Sequence, residues 1–153
     1  MTLPTKITVI GAGSASFGEN TLSAIMRSQK LKGSTLALID RNAETLDIAQ
    51  RLANRLNREW DSHFTITAHT HHQDALADSH FVVNAIEVGA RENLWKQDFE
   101  IPIKYGVRQP YAENGGPGGF AHAARNIGPI LQIARDMEQA CPEAWFVNFT
   151  NPM

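Results

Sequence analysis

The chain has 153 residues, of which 42% are hydrophobic and 20% charged, and its net charge is −2. This leaves room for one domain with a real core and is an ordinary soluble composition. The charge balance, without any Lys/Arg cluster, excludes a nucleic-acid surface, and no apolar run approaches the length of a membrane span.

The elements alternate along the chain. KITVI, Lys6–Ile10, is a β-rich run that ends in glycine, and a helix-compatible stretch follows to about Lys30. A second strand runs from Thr35 to Asp40. Residues from Asn42 to about Arg58 place Leu46, Ala49, Leu52, Ala53 and Leu56 on one helical face. Phe64–Ala68 alternates like a strand, and His80–Ile86 is a continuous apolar strand. The stretch from Val107 to Gly119 is rich in Gly and Pro and predicts a loop at the carboxyl edge of a sheet. From Pro117 to Ala140 a helical stripe collects Phe120, Ala123, Ala124, Ile127, Ile130, Leu131, Ala134 and Met137. Cys-Pro breaks that helix, and Ala144–Phe149 makes the next strand. Strands alternating with helices predict parallel βαβ units in a doubly wound α/β sheet with helices on both faces. The start lacks the basic leader and cleavage-like site of a signal peptide, so it reads as a first strand. The single cysteine, Cys141, excludes an internal disulfide and fits a reducing cytoplasm, the predicted compartment.

The strongest local motif is VIGAGSASFG, Val9 to Gly18. Its Gly11, Gly13 and Ser16 form a G-x-G-x-x-G fingerprint with serine in the third place. Gly11 allows the tight turn, Gly13 lets backbone approach a pyrophosphate, and Ser16 is small enough for helix–strand packing. The following helix turns free N–H groups and its positive dipole end toward phosphates. Asp40, closing the second strand, accepts hydrogen bonds from ribose hydroxyls and favours NAD, whereas neighbouring Arg41 suits a 2′-phosphate. Gly11, Gly13, Ser14, Phe17, Asp40 and Arg41 are thus candidate cofactor residues of a Rossmann-type domain.

A second glycine cluster, ENGGPGGF from Glu113 to Phe120, precedes the long helix. Two strand ends converge with it: NAIEVGARE, Asn84–Glu92, and NFTNP, Asn148–Pro152. In a doubly wound sheet such loops share the carboxyl edge, where ligands bind. The combination of IGAGS, the acid closing LALID, VGARE and GPGGF…ARNIGPILQIARDMEQACPEAWFVNFTNP resembles glycoside hydrolase family four, the NAD- and metal-dependent glycosidases, over essentially the whole chain.

The resemblance implies cleavage by transient hydride abstraction at C3 of the sugar, metal-assisted deprotonation at C2 and elimination of the glycosidic oxygen, after which water adds and the hydride returns. By position, Gly11, Gly13 and Ser14 would hold the pyrophosphate, Asp40 the adenosine ribose, and Asn84 and Glu87 the path toward the nicotinamide. Arg91 and Asn151 would reach the sugar, with Asn114 and Asn148 as further candidate substrate contacts. In the family's pattern the metal-binding cysteine and histidine and the catalytic base follow the NP dipeptide. Residues 1–153 are therefore expected to be the NAD-binding domain, with no catalytic or metal residue in this chain and with NAD binding but no hydrolysis by it alone. The implied cofactors are NAD and a divalent metal such as manganese. The partner is a small glycoside, and a homo-oligomer is expected. The AENGGP form of the loop leans toward an α-galacturonidase or α-glucuronidase type.

Two rival functions stand beside this one: a lactate/malate-type 2-hydroxyacid dehydrogenase, and a non-catalytic nucleotide-binding module. Several residues also have plain readings. His69, His71 and His72 read as a solvated turn rather than a metal site. Cys141 reads as a buried structural thiol, and Trp95 and Phe99 as packing residues. His122 is open between a substrate contact and a helix-surface histidine, and Arg91 between an anion contact and a salt bridge. The strand before NFTNP would be an unpaired edge, expected to be filled by another chain or to limit solubility.

Overall fold

A computed structural model describes residues 4–15, 17–110 and 115–153. It contains β1 (Lys6–Ile10), α1 (Gly18–Met26), β2 (Thr35–Ile39), α2 (Ala43–Glu59), β3 (Thr65–His69), the short 3-10 turn η1 (His72–Asp74), β4 (Phe81–Asn84), α3 (Arg91–Lys104), α4 (Pro117–Ala140) and β5 (Trp145–Asn148). The chain divides into two compact units, residues 1–85 with 135–148, and residues 86–134 with 149–153.

The first unit holds the sheet. Its order is β3-β2-β1-β4-β5 and every pairing is parallel, the doubly wound Rossmann-type order that the alternating pattern predicts. Period-2 alternation sorts the strands onto two buried faces. Ile7 and Val9 of β1 stand beside Leu36 and Leu38 of β2 in register and join Val83 in one cluster. Leu22 and Met26 of α1 and Leu46 and Ala53 of α2 close over that cluster. The opposite face carries Thr8, Ile10, Ala37, Ile39 and Val82, all buried. Here the β3–β4 connection departs from the doubly wound expectation, since η1 and a segment of turns replace an α-helix. Ala75 and Leu76 of this segment are buried, and the Thr8 hydroxyl meets Ser79 Oγ at 2.7 Å. Within this unit η1 is also tied to the end of α4, where His72 Nε2 lies 2.6 Å from Asp136 Oδ2. His72 is thus hydrogen-bonded to Asp136 and partly buried, and not part of a solvated turn.

Element ends follow local chemistry. Asn42 caps α2, its side-chain oxygen accepting from the N–H groups of Glu44 and Thr45 at 3.0 and 3.3 Å. The first helix stops at Met26, short of the expected Lys30, and β4 is trimmed to Phe81–Asn84. In the second unit α3 is an addition to the sequence reading. Its polar surface carries no apolar stripe, and Pro102 sits inside its last turn. Along α4 the buried positions are His122, Asn126, Ile130, Ile133 and Met137, at helical spacing. The expected stripe is therefore rotated. Phe120, Ile127 and Leu131 are exposed, while two polar residues take inward places because they find hydrogen-bond partners there. No helix among the described residues is long and apolar enough to cross a membrane.

Candidate functional site

The sheet reverses its winding between β1 and β4, and the turn after β1 lies at this switch point. Gly11 takes a φ of +87°, which glycine adopts without a Cβ penalty. The N–H groups of Gly11 and Ala12 both donate to the Ile39 carbonyl, at 2.8 and 3.0 Å, fastening the turn to the end of β2. Asp40 follows immediately. Its Oδ2 accepts from the Gly13 N–H at 2.9 Å and its Oδ1 from the Asn42 N–H at 3.0 Å. A Cβ on Gly13 would stand 2.8 Å from Asp40 Oδ2 and run into the Thr45 side chain. The absence of a side chain there is therefore a steric requirement of the turn.

Ser14 donates its N–H to the Gly11 carbonyl at 3.1 Å and accepts, through its own carbonyl, from Gly18 N at 2.8 Å. Phe17 is the N-cap residue of α1, and its ring packs against the core cluster. Ser16, the third place of the fingerprint, lies outside the described residues. A residue that sequence reasoning passed over fills the close-packing role: a Cβ on Gly18 would meet the Ala12 carbonyl oxygen. Its only sequence signal is a glycine at the start of a helix, which is legible once the helix start is known. Arg41 is exposed beside Asp40.

In the same unit the ends of β4 and β5 bring Asn84 and Asn148 side by side in register. Asn84 is fully buried and donates from Nδ2 to Asn148 Oδ1 at 2.7 Å. Both are thus held at the carboxyl edge, together with Gly11, Gly13, Ser14 and Asp40.

The second unit gathers Glu87, Arg91 and Asn151 with residues not foreseen. Arg91 Nε lies 3.5 Å from Glu87 Oε2, and its guanidinium stacks over the Trp95 ring at 4.3 Å. The ion-pair reading of Arg91 is therefore present in the structure. His122 is 2% exposed, which corrects the helix-surface reading. Its Nδ1 meets the Pro152 carbonyl at 2.5 Å and its Nε2 faces Glu87 Oε1 at 3.5 Å. Asn126, also buried, accepts from Val88 N and donates to the His122 carbonyl, both at 2.9 Å. Thr150 Oγ donates to the Ile86 carbonyl at 2.8 Å, so the segment after β4 and the segment after β5 are cross-linked. Asn151 is exposed, and its bond to buried Pro152 is cis. Asp98 of α3 binds Arg125 of α4 through both guanidinium Nη atoms, and this pairing pushes Arg125 above its ordinary value. Trp95, Asp98, Phe99, Gln109, Gly118, His122 and Pro152 line one small recess. Asn114 lies outside the described residues.

The sequence profile described as "Family 4 glycosyl hydrolase" matches residues 6–153. The chain belongs to family 4. Among its relatives, the alpha-glucosidase of Erwinia rhapontici is 44% identical over 151 residues, which is 99% of this chain and 33% of that protein. The alpha-galactosidase of Bacillus subtilis (strain 168) is 39% identical, over 97% of this chain and 34% of that protein. The 6-phospho-beta glucosidase of Thermotoga maritima, solved with manganese, NAD+ and glucose-6-phosphate, superposes with a TM-score of 0.83 at 25% identity, covering 97% of this chain and 34% of that one. The chain spans about a third of the length of the curated relatives it matches. Family membership sets aside the dehydrogenase reading, whose strands begin with a similar glycine turn.

No group of three or more His, Cys, Asp or Glu among the described residues is placed to hold a metal ion. Cys141 is buried below the end of α4, and this desolvation pushes its thiol up despite the opposing field of Lys6.

Proposed function

We propose that residues 1–153 are the NAD-binding part of a family 4 glycosidase, the metal-binding and proton-transferring residues lying in sequence beyond Met153. The observation that carries the reading is the Gly13–Asp40 arrangement at the switch point. Gly13 leaves open the space that a Cβ would close, and the Asp40 carboxylate stands beside it. Each carboxylate oxygen accepts one backbone N–H and keeps a second lone-pair site for a ribose hydroxyl. These residues fit a dinucleotide. Gly11, Gly13, Ser14 and Phe17 would form the pyrophosphate turn, Asp40 and Arg41 the adenosine end, and Asn84 and Glu87 the nicotinamide end. The described residues do not fit a metal, so no role of theirs is assigned to one.

When bound, NAD would supply the acceptor for a transient oxidation at C3 of the sugar, acidifying the proton on C2. This chain's own residues bind and orient. Asn148 and Asn151 would present amides to sugar hydroxyls, Arg91 would sit at the rim with Asn114, and the buried Asn84 would fix Asn148 by its amide hydrogen bond. The substrate class is read as an α-linked neutral hexoside, on the relative at 44% identity, named alpha-glucosidase, and one of the two at 39%, named alpha-galactosidase, the other at 39% being named probable 6-phospho-beta-glucosidase. A cytoplasmic location and self-association belong to the same proposal.

Titration calorimetry of the 153-residue chain with NAD, beside assays on aryl α-glucosides and α-galactosides with manganese and reductant, tests it. NAD binding without hydrolysis is expected. Absence of NAD binding by a folded chain would remove the cofactor reading. Efficient hydrolysis by these residues alone would show that the proton and metal chemistry is misplaced.

A further inference from the structure

His122 stands between two groups that accept hydrogen bonds. Its Nδ1 lies 2.5 Å from the Pro152 carbonyl oxygen, and a carbonyl only accepts, so Nδ1 carries a proton. Its Nε2 faces Glu87 Oε1 at 3.5 Å, and that buried carboxylate oxygen has no hydrogen-bond partner among the described residues. In a neutral ring with Nδ1 protonated, Nε2 is itself an acceptor. Two lone pairs would then face each other away from water, an arrangement that native interiors avoid.

Asn126 does not relieve the conflict. Its Nδ2 stands 3.4 Å from both ring nitrogens, equidistant and so on neither lone-pair axis, and it donates to the His122 carbonyl at 2.9 Å. The charged groups around the ring are otherwise engaged. Arg91 of α3 serves the other Glu87 oxygen at 3.5 Å, and Asp98 of α3 is bound to Arg125 of α4. Trp95 meets the ring in a T-shaped contact, with centroids 5.8 Å apart at 85°. A proton on Nε2 turns the facing lone pairs into an attractive ion pair between His122 and Glu87 Oε1.

We propose that His122 is protonated at Nε2 as well as Nδ1 and pairs with the Glu87 carboxylate, making His122 the positioning residue that ties Glu87 to the Asn151–Pro152 segment. The consequence rests on the function proposed above, in which Glu87 belongs to the cofactor side and Asn151 to the sugar side. One doubly protonated ring then sets the spacing between the two, with Nδ1–H holding the segment and Nε2–H holding the carboxylate.

The test is a long-range proton–nitrogen correlation on the 153-residue chain labelled with nitrogen-15 histidine, near neutral pH. This measurement separates a doubly protonated ring from either neutral tautomer, and His122→Gln identifies the signal. His122 is expected to be protonated at both nitrogens. In Glu87→Gln it is expected to become a neutral ring with the proton retained on Nδ1. A neutral His122 in the unmodified chain overturns the proposal, and so does a ring state that Glu87→Gln leaves unchanged. Calorimetry with NAD on the same samples keeps the two readings apart. A doubly protonated His122 in a chain that does not bind NAD supports the ion pair while removing the cofactor assignment.

Discussion

At the scale of single residues, the absence of one side chain decides whether the glycine turn works. Gly13 has Asp40 on one side and Thr45 on the other, and an alanine Cβ would stand 2.8 Å from Asp40 Oδ2. Relief requires the carboxylate to move, which lengthens its hydrogen bond from the Gly13 N–H and shifts the ribose acceptor. Gly13→Ala is therefore expected to weaken NAD binding at least ~10-fold, about 1.4 kcal/mol, as read by calorimetry. Urea unfolding should show a further loss of about 1–3 kcal/mol, as for overpacked sites. A folded variant with unaltered affinity would mean that the dinucleotide does not pass this residue. The meeting of Gly11, Gly13 and Asp40 at one turn could be read from sequence because a tight turn and a strand-end acid have few other uses at that spacing. Gly18 could not, since its need for close approach depends on where the first helix begins and on the Ala12 carbonyl opposite it. His122 was equally hidden. Burial of a histidine depends on an acceptor that arrives from residue 152, thirty positions away.

At the scale of elements, regular hydrophobic period was the legible signal and long-range polar pairing the illegible one. The five strands and α2 alternate or repeat cleanly, and each falls within a few residues of its expected place. The connection through η1 and the helix α3 carry no such period, and the face of α4 was misjudged because Asn126 and His122 displace Ile127 and Leu131 from the interior. Asn126 repays this by joining two segments, accepting from Val88 N and donating to the His122 carbonyl. Asn126→Leu removes the acceptor of the part-buried Val88 N–H bond and should cost about 0.5–1.5 kcal/mol in urea unfolding, despite the added apolar surface. A neutral or stabilising result would mean that the Val88 amide finds another partner. The carboxyl end of the same helix offers a pH test. Burial raises the Cys141 thiol above its ordinary value of 9.0, with Lys6 pulling the other way. The unfolded chain ionises this thiol first, so its contribution is complete below the ordinary value and declines as pH rises through the folded one. Stability measured from neutral pH upward should fall more steeply for the unmodified chain than for Cys141→Ala, whose deficit therefore shrinks as pH rises. Parallel curves would show that the thiol is no more shielded folded than unfolded.

At the scale of the whole molecule, β5 is the strand whose environment is least complete. It pairs with β4, and among the described residues no strand lies on its other side. Its side chains compound the exposure: Trp145 is 72% exposed and stands in register beside Phe81, itself 38% exposed, while Val147 beside Val83 is 37% exposed. An open ladder edge next to an apolar patch invites pairing with another chain, and natural edges are usually blunted by lysine, proline or a bulge. β5 itself, WFVN, has none of the charged residues that would serve. The chain is therefore expected to self-associate through this edge, and light scattering should give a mass above the monomer that grows with concentration. Lysines at Trp145 and Val147 are expected to return it to a monomer while leaving the far-ultraviolet circular dichroism unchanged, since both side chains already face solvent. NAD binding should survive this change, because Gly11, Gly13 and Asp40 sit on the turns after β1 and β2, and β4 separates β1 from β5 in the sheet. A strictly monomeric unmodified chain at high concentration would show that the edge is protected, and association that persists in the lysine variant would place the interface elsewhere, with the exposed Phe120, Ile127 and Leu131 of α4 as the next surface to change.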